Sequence, residues 1–218
     1  MNHAAESPIP APTAESWSFA EGHSPIPDAH MAAREEAELA GITPISPGVA
    51  ATLTVLAKAT QARAVVEIGT GFGASALPLL AGMTPDGVIT SIDPEAENQI
   101  PARNFLNNAG YRASRCRLIA GMPLEVLPKL RDNAYDIVFV NGDKLEYVEY
   151  VVEALRLLRP GGLLILNDAL WLNTVADPQR EDDETIIIRE ALEAVRTAGG
   201  YTSTLLTVGN GLLVAAKD

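Results

Sequence analysis

Val65-Val66-Glu67-Ile68-Gly69-Thr70-Gly71-Phe72-Gly73 decides how this chain is read. Its apolar start suits a strand buried on both faces. The alternate glycines that follow allow a turn sharp enough to bring backbone against a ligand. A helix candidate, Ala74 to Gly82, comes next, so the motif is strand, glycine turn, helix. Asp93 ends the following strand candidate about twenty residues on, where a carboxylate accepts hydrogen bonds from ribose hydroxyls. Glu67, Gly69, Thr70, Gly71, Gly73, Ser75 and Asp93 are therefore the first candidate cofactor residues. A dinucleotide fingerprint spaces its glycines as G-x-G-x-x-G, whereas these fall as G-x-G-x-G. Glu67, just before the turn, also suits a cationic sulfonium with an amino-acid tail better than a pyrophosphate. The spacing favours S-adenosylmethionine over a nicotinamide cofactor.

Outward from the turn the chain alternates. Strand candidates at Ala64–Ile68, Gly87–Ile92, Cys116–Ala120, Tyr135–Val140 and Gly162–Leu166 are separated by helical stretches, the last at Glu184–Ala198. Such alternation with short links predicts a parallel sheet with helices on both faces. Thr202–Val208 and Leu212–Ala216, joined through Gly209-Asn210-Gly211, read as a terminal β-hairpin that adds antiparallel strands. Two helices are expected before the first strand, Ala29–Ala40 and one capped by Ser46 that runs to Ala59. Residues 1–28, rich in Pro, Ala, Ser and Glu, read as a flexible or loosely docked arm, and 29–218 as one domain.

Composition narrows the partners. Acidic residues outnumber basic ones 28 to 16, giving a net charge of -12, which repels phosphate backbones and argues against nucleic acid. No apolar run reaches the roughly 20 residues that span a bilayer, and no secretory signal pattern opens the chain. A single cysteine, Cys116, fits a reducing cytoplasm and a buried place on a strand. His3, His23 and His30 lie in or beside the arm at a spacing that matches no ligand pattern.

Further motifs give the chain a resemblance. Phe139-Val140-Asn141-Gly142-Asp143-Lys144, Leu158-Arg159-Pro160-Gly161-Gly162, Asn167-Asp168-Ala169-Leu170-Trp171 and Gly209-Asn210-Gly211-Leu212 follow the glycine turn in order. With it they resemble the small cation-dependent O-methyltransferases of the catechol and caffeoyl-CoA type, in their bacterial branch, over roughly Gly41 to Lys217. The resemblance implies a Rossmann-like, seven-stranded S-adenosylmethionine-dependent methyltransferase fold, mostly parallel, and a homodimer. It implies methyl transfer to a small hydroxylated, aromatic acceptor. Lys144 matches the residue that takes the proton from the acceptor hydroxyl. Gly121, Met122 and Asn141 join the cofactor set, and Trp171 is placed to wall the acceptor pocket.

The same resemblance places a divalent cation among Asn141, Asn167 and Asp168, and here the chain departs from the pattern. The family carries an Asp and then an Asp-Asn pair; this chain has Asn141 and then Asn167-Asp168. One ligand charge is lost, which at roughly 4 Å and an effective dielectric of 20 forfeits about 4 kcal/mol of attraction. Asp143 is the nearest carboxylate placed to restore it, since alternate residues of an extended segment point the same way. Met122 replaces an acidic residue near the adenine, where a thioether packs on the ring instead. A relative that keeps the cofactor site and has lost the chemistry is the alternative reading; a nicotinamide-dependent oxidoreductase is a more distant one.

Overall fold

The computed structural model describes residues 10–218. Strands β1 (Ala64–Ile68), β2 (Val88–Asp93), β3 (Cys116–Ala120), β4 (Tyr135–Val140), β5 (Leu158–Leu166), β6 (Tyr201–Leu206) and β7 (Leu212–Lys217) form one sheet in the order 3-2-1-4-5-7-6. The first five run parallel. β7 lies antiparallel between β5 and β6, as the terminal hairpin requires. The helices are α1 (Ala14–Glu21), α2 (Asp28–Leu39), α3 (Pro47–Ala59), α4 (Ala76–Gly82), α5 (Gln99–Asn108), α6 (Pro123–Val126), α7 (Tyr147–Leu157) and α8 (Asp183–Thr197). No helix of the described residues is long and apolar enough to cross a membrane.

Alternation along the strands sorts the core into two layers. Val65, Ile89, Ile137, Phe139, Leu163 and Ile165 face α3 and α4 with Leu53, Leu79 and Leu80. Val66, Ile68, Val138, Val140, Leu164 and Leu166 face α7 and α8 with Tyr150, Val151 and Ile188. From β1 the chain winds outward through β2 and β3, then returns to add β4 and β5 on the other side. The links therefore diverge above β1 and β4 and leave a crevice at the carboxyl ends of those two strands.

Three helices, rather than the two expected, precede β1 among the described residues. The additional one, α1, falls within residues 1–28, where apolar periodicity is weak, because polar bonds hold it in place. Thr13 Oγ1 caps it by accepting from Ser16 N, and Trp17 Nε1 donates to Thr207 O at 3.1 Å. β5 also starts four residues earlier than Gly162, because Leu158 pairs with Tyr135 before a bulge interrupts the register. Buried Cys116 stands on β3, and burial pushes its thiol pKa up.

The contact between α3 and α4 depends on Gly82. A Cβ there would collide with Thr54 O and sit 2.8 Å from Ala57 Cβ. Alanine gains at most about 1 kcal/mol of helix propensity, and overpacking against backbone costs roughly 1–3 kcal/mol. Gly82→Ala is expected to lower stability by about 1–2 kcal/mol net, read as a reduced urea midpoint at unchanged slope.

Candidate functional site

The crevice is built by continuing the sheet's hydrogen bonds past the strand ends. Gly69 N donates to Ile92 O and Asn141 N to Ile68 O, both at 2.8 Å, while Asn167 N donates to Val140 O and Gly121 N to Asp93 O, both at 3.0 Å. Gly69 has φ +91°, and a Cβ on it would collide with Asn141 O. Only glycine lets the two strand ends approach this closely.

Asp93, at the tip of β2, holds the turn. Its Oδ2 accepts from Gly71 N at 2.8 Å, and its Oδ1 from Glu95 N at 2.9 Å and Asn98 Nδ2 at 3.5 Å. Thr70 is buried, with its hydroxyl 2.6 Å from Ser91 Oγ, and Gly73 packs over Ala102. Glu67 lies wholly buried beneath the turn, where its Oε2 accepts from Ser91 Oγ. Its Oε1 meets no well-directed donor, although the Ser75 hydroxyl is near enough to pull the carboxyl pKa down. Burial outweighs the two serines and, with Asp93 adding to it, pushes that pKa from 4.5 up to about 7.

On the β4 and β5 side, Lys144 Nζ lies 2.8 Å from Asp168 Oδ2 and donates to Gly142 O at 3.3 Å. It stands 5.0 Å from the ring centre of Tyr147 and 5.7 Å from that of Trp171. Two aromatic faces and a carboxylate thus surround one ammonium. Tyr147 is fully buried and donates to Asn167 O at 3.1 Å.

Gly69, Gly71, Asp93, Asn141, Lys144 and Asp168 all line one cleft of about 410 Å³, which Trp171 and Asn210 also border. An adjoining cleft of about 680 Å³ shares Asp168, Leu172 and Asn210 and reaches Asn167 and Trp17. Gly121 and Met122 line neither cleft. Gly121 borders a separate cavity under β3, and Met122 is about half exposed. Asp143 turns away too, its Oδ1 accepting from Leu145 N at 3.0 Å.

The chain matches the O-methyltransferase family model over residues 31–218. The chain belongs to that family. A candidate O-methyltransferase of Mycobacterium sp. (strain JLS) is 46% identical over 187 residues, covering 86% of this chain and 85% of that one. A Corynebacterium glutamicum protein superposes with a TM-score of 0.85 at 32% identity, over 92% of this chain and 94% of that one. The O-methyltransferase TomG of Streptomyces achromogenes, involved in tomaymycin synthesis and solved with S-adenosylmethionine, gives 0.84 at 28%, over 93% and 97%. Family membership removes the nicotinamide-dependent reading.

The cation implied by the family resemblance meets a poor donor set in this O-methyltransferase. Asn167 Nδ2 donates to Asn141 Oδ1 at 2.8 Å, so one amide oxygen is already engaged. The one carboxylate, Asp168, accepts from Asn210 Nδ2 at 3.1 Å and pairs with Lys144 through its other oxygen. Among the described residues no three His, Cys, Asp or Glu side chains gather as a metal would need. One carboxylate bound to an ammonium, with two neutral amides, does not fit a hard divalent cation.

Asn210, Asn98, Ile42 and Thr43 also line the site and were not picked out as site residues from sequence. Gly209-Asn210-Gly211 signals a turn, and only the insertion of β7 beside β5 brings it over Asp168. Ile42 and Thr43 lie on the link before α3 and carry no motif.

Glu67 makes the fold sensitive to pH with a definite sign. The folded chain keeps the carboxyl proton up to about 7, whereas the unfolded chain releases it near 4.5. Stability therefore falls as pH rises through that window, by about 3 kcal/mol in all. Urea unfolding of the cofactor-free protein at pH 5 and pH 8 is expected to show the wild type losing about 2–3 kcal/mol more than Glu67→Gln.

Proposed function

We propose that this O-methyltransferase transfers the methyl group of S-adenosylmethionine to a hydroxyl of a small aromatic acceptor, without a metal ion. One observation carries the reading: the glycine turn with Asp93 and the Lys144–Asp168 pair border the same cleft. The cofactor-bound Streptomyces achromogenes relative supports the choice of cofactor. In this reading Asp93 accepts from the ribose hydroxyls, releasing Gly71 N, and the methionine moiety lies along Gly69, Gly71 and Asn141. Thr70, Gly73 and Ser75 shape the turn from beneath. Glu67 takes its charged form when the sulfonium binds above it, and the adenine extends beyond the cleft to Gly121 and Met122, which adjoin Asp93 through the bond from Gly121 N to Asp93 O.

The acceptor enters from the larger cleft, with Trp171 as a wall, and its oxygen attacks the methyl carbon in line with the departing sulfur. Lys144 in its free-base form takes the hydroxyl proton at Nζ, and Asp168 holds the resulting ammonium. The sulfonium becomes a neutral thioether as the oxygen–carbon bond forms, so the positive charge passes from sulfur to the Lys144 ammonium beside Asp168. Positioning is the chain's main contribution. The Asn141–Asn167 pair favours a second reading, a cofactor binder without turnover. The homodimer implied by the family resemblance completes the proposal, with sedimentation velocity as its measure.

Asp93→Ala is expected to weaken S-adenosylmethionine binding by about 10–100-fold in isothermal titration, the loss of charge-assisted hydrogen bonds. Lys144→Met should bind the cofactor within about threefold of wild type yet lose roughly 10²–10⁴-fold in turnover on a panel of catechols and phenols. Wild-type turnover should be unchanged by EDTA or added Mg²⁺. Cofactor binding with no turnover on any acceptor would replace the proposal with the second reading.

A further inference from the structure

The carboxylate of Glu21, in α1, joins parts of the chain that are far apart in sequence. It is 8% exposed. Its Oε2 accepts from Gly48 N at 2.9 Å, in the first turn of α3, where amides lack helical partners and a carboxylate meets the positive end of the helix. Its Oε1 accepts from Gly209 N at 2.6 Å, 188 residues away, at the turn between β6 and β7. Packing at this junction is tight. A Cβ on Gly209 would come within 2.7 Å of Val49 Cγ2, and one on Gly48 within 2.6 Å of Glu21 Oε1.

From Gly209 the bonding runs inward to the cleft. The next residue, Asn210, uses both ends of its side chain: Nδ2 donates to Asp168 Oδ1 at 3.1 Å, and Oδ1 accepts from Leu172 N at 2.6 Å. Backbone bonds flank it, from Leu170 N to Asn210 O and from Ala169 N to Gly211 O, both at 2.9 Å. The segment held this way is strained. Asp168, Trp171, Leu172 and Asn173 have φ of 54°, 40°, 54° and 66°, a region where residues other than glycine persist only when their surroundings fix them. Asp168 in turn holds Lys144.

We propose that Glu21 is a positioning residue for methyl transfer: by fixing Gly209 it fixes Asn210, and through Asn210 the Lys144–Asp168 pair and the Trp171 wall. The catalytic half of this inference rests on the proposed role of Lys144; the structural half does not. Glu21 touches neither cofactor nor acceptor in this scheme. Its influence passes through two hydrogen-bonded residues.

The chain contains two tryptophans, so full-length protein labelled with 5-fluorotryptophan gives two ¹⁹F resonances, assigned through Trp17→Phe. Glu21→Gln keeps the side chain's size and replaces one accepting oxygen with a donor. Asn210→Ala removes the inner link. Thr13→Ala removes the α1 cap at the end of the helix opposite Glu21 and alters no group that bonds to Glu21. Glu21→Gln and Asn210→Ala should each displace the Trp171 resonance, and the double variant should displace it no further than the larger single change. Thr13→Ala should leave it in place.

On an accepted catechol or phenol, Glu21→Gln should lose about 10-fold in kcat with the KM for S-adenosylmethionine within about twofold, the pattern of a displaced reacting group. An unmoved Trp171 resonance in Glu21→Gln overturns the proposal. So does an equal shift in Thr13→Ala, or a shift accompanied by unchanged kcat. Absence of turnover in the wild type overturns the proposed function and the catalytic half of this inference with it; the resonances then decide the structural link alone.

Discussion

Everything at the site depends on how near the ends of β1 and β4 come to each other. The winding of the sheet reverses between these strands, so their outgoing links part and a crevice opens above them. Gly69 sits against the backbone of Asn141 at the floor of that crevice, where no side chain fits. That one approach sets the glycine turn beside the loop carrying Lys144. The cofactor half and the chemical half of the site are neighbours because two backbones touch.

The motifs made much of this legible. Buried apolar runs separated by helical stretches imply a parallel sheet whatever the residue details, and Gly-Asn-Gly between apolar runs implies a hairpin. Glu67, Gly69, Asp93 and Lys144 lie on or just after strands, where spacing reports position well. Two kinds of feature escaped. α1 has almost no apolar stripe, since Thr13, Trp17 and Glu21 hold it through polar bonds whose partners are up to 190 residues away. Asn210 carries no site signal of its own and gains its place only when β7 inserts beside β5. Asp143 shows the converse: alternation suggested it would face the site, but a short helical turn begins at Lys144 and draws its carboxylate into a cap.

The polar groups of the crevice also answer one another closely. Where a divalent cation would demand several hard anionic oxygens, two amides are bonded together and one carboxylate meets an ammonium. With no carboxylate at Asn141, the one that remains in the cluster, Asp168, is met by Lys144. On the other side of the turn, Glu67 carries the opposite tension, a carboxyl whose burial favours the neutral form in a pocket proposed to receive a cation. The two halves treat charge differently: one is already neutralised internally, and the other stands ready for an incoming positive group.

The place of the hairpin carries a consequence for how the protein is made. Asn210 and β7 leave the ribosome after every other wall of the cleft, and β6, although made earlier, can join the sheet only through β7. Glu21, translated among the first of the described residues, waits for Gly209 through nearly the whole of synthesis. A nascent chain can therefore assemble its glycine turn and most of its sheet while the segment around Asp168 still lacks its clamp. The clamp over the site cannot close before the hairpin has been made.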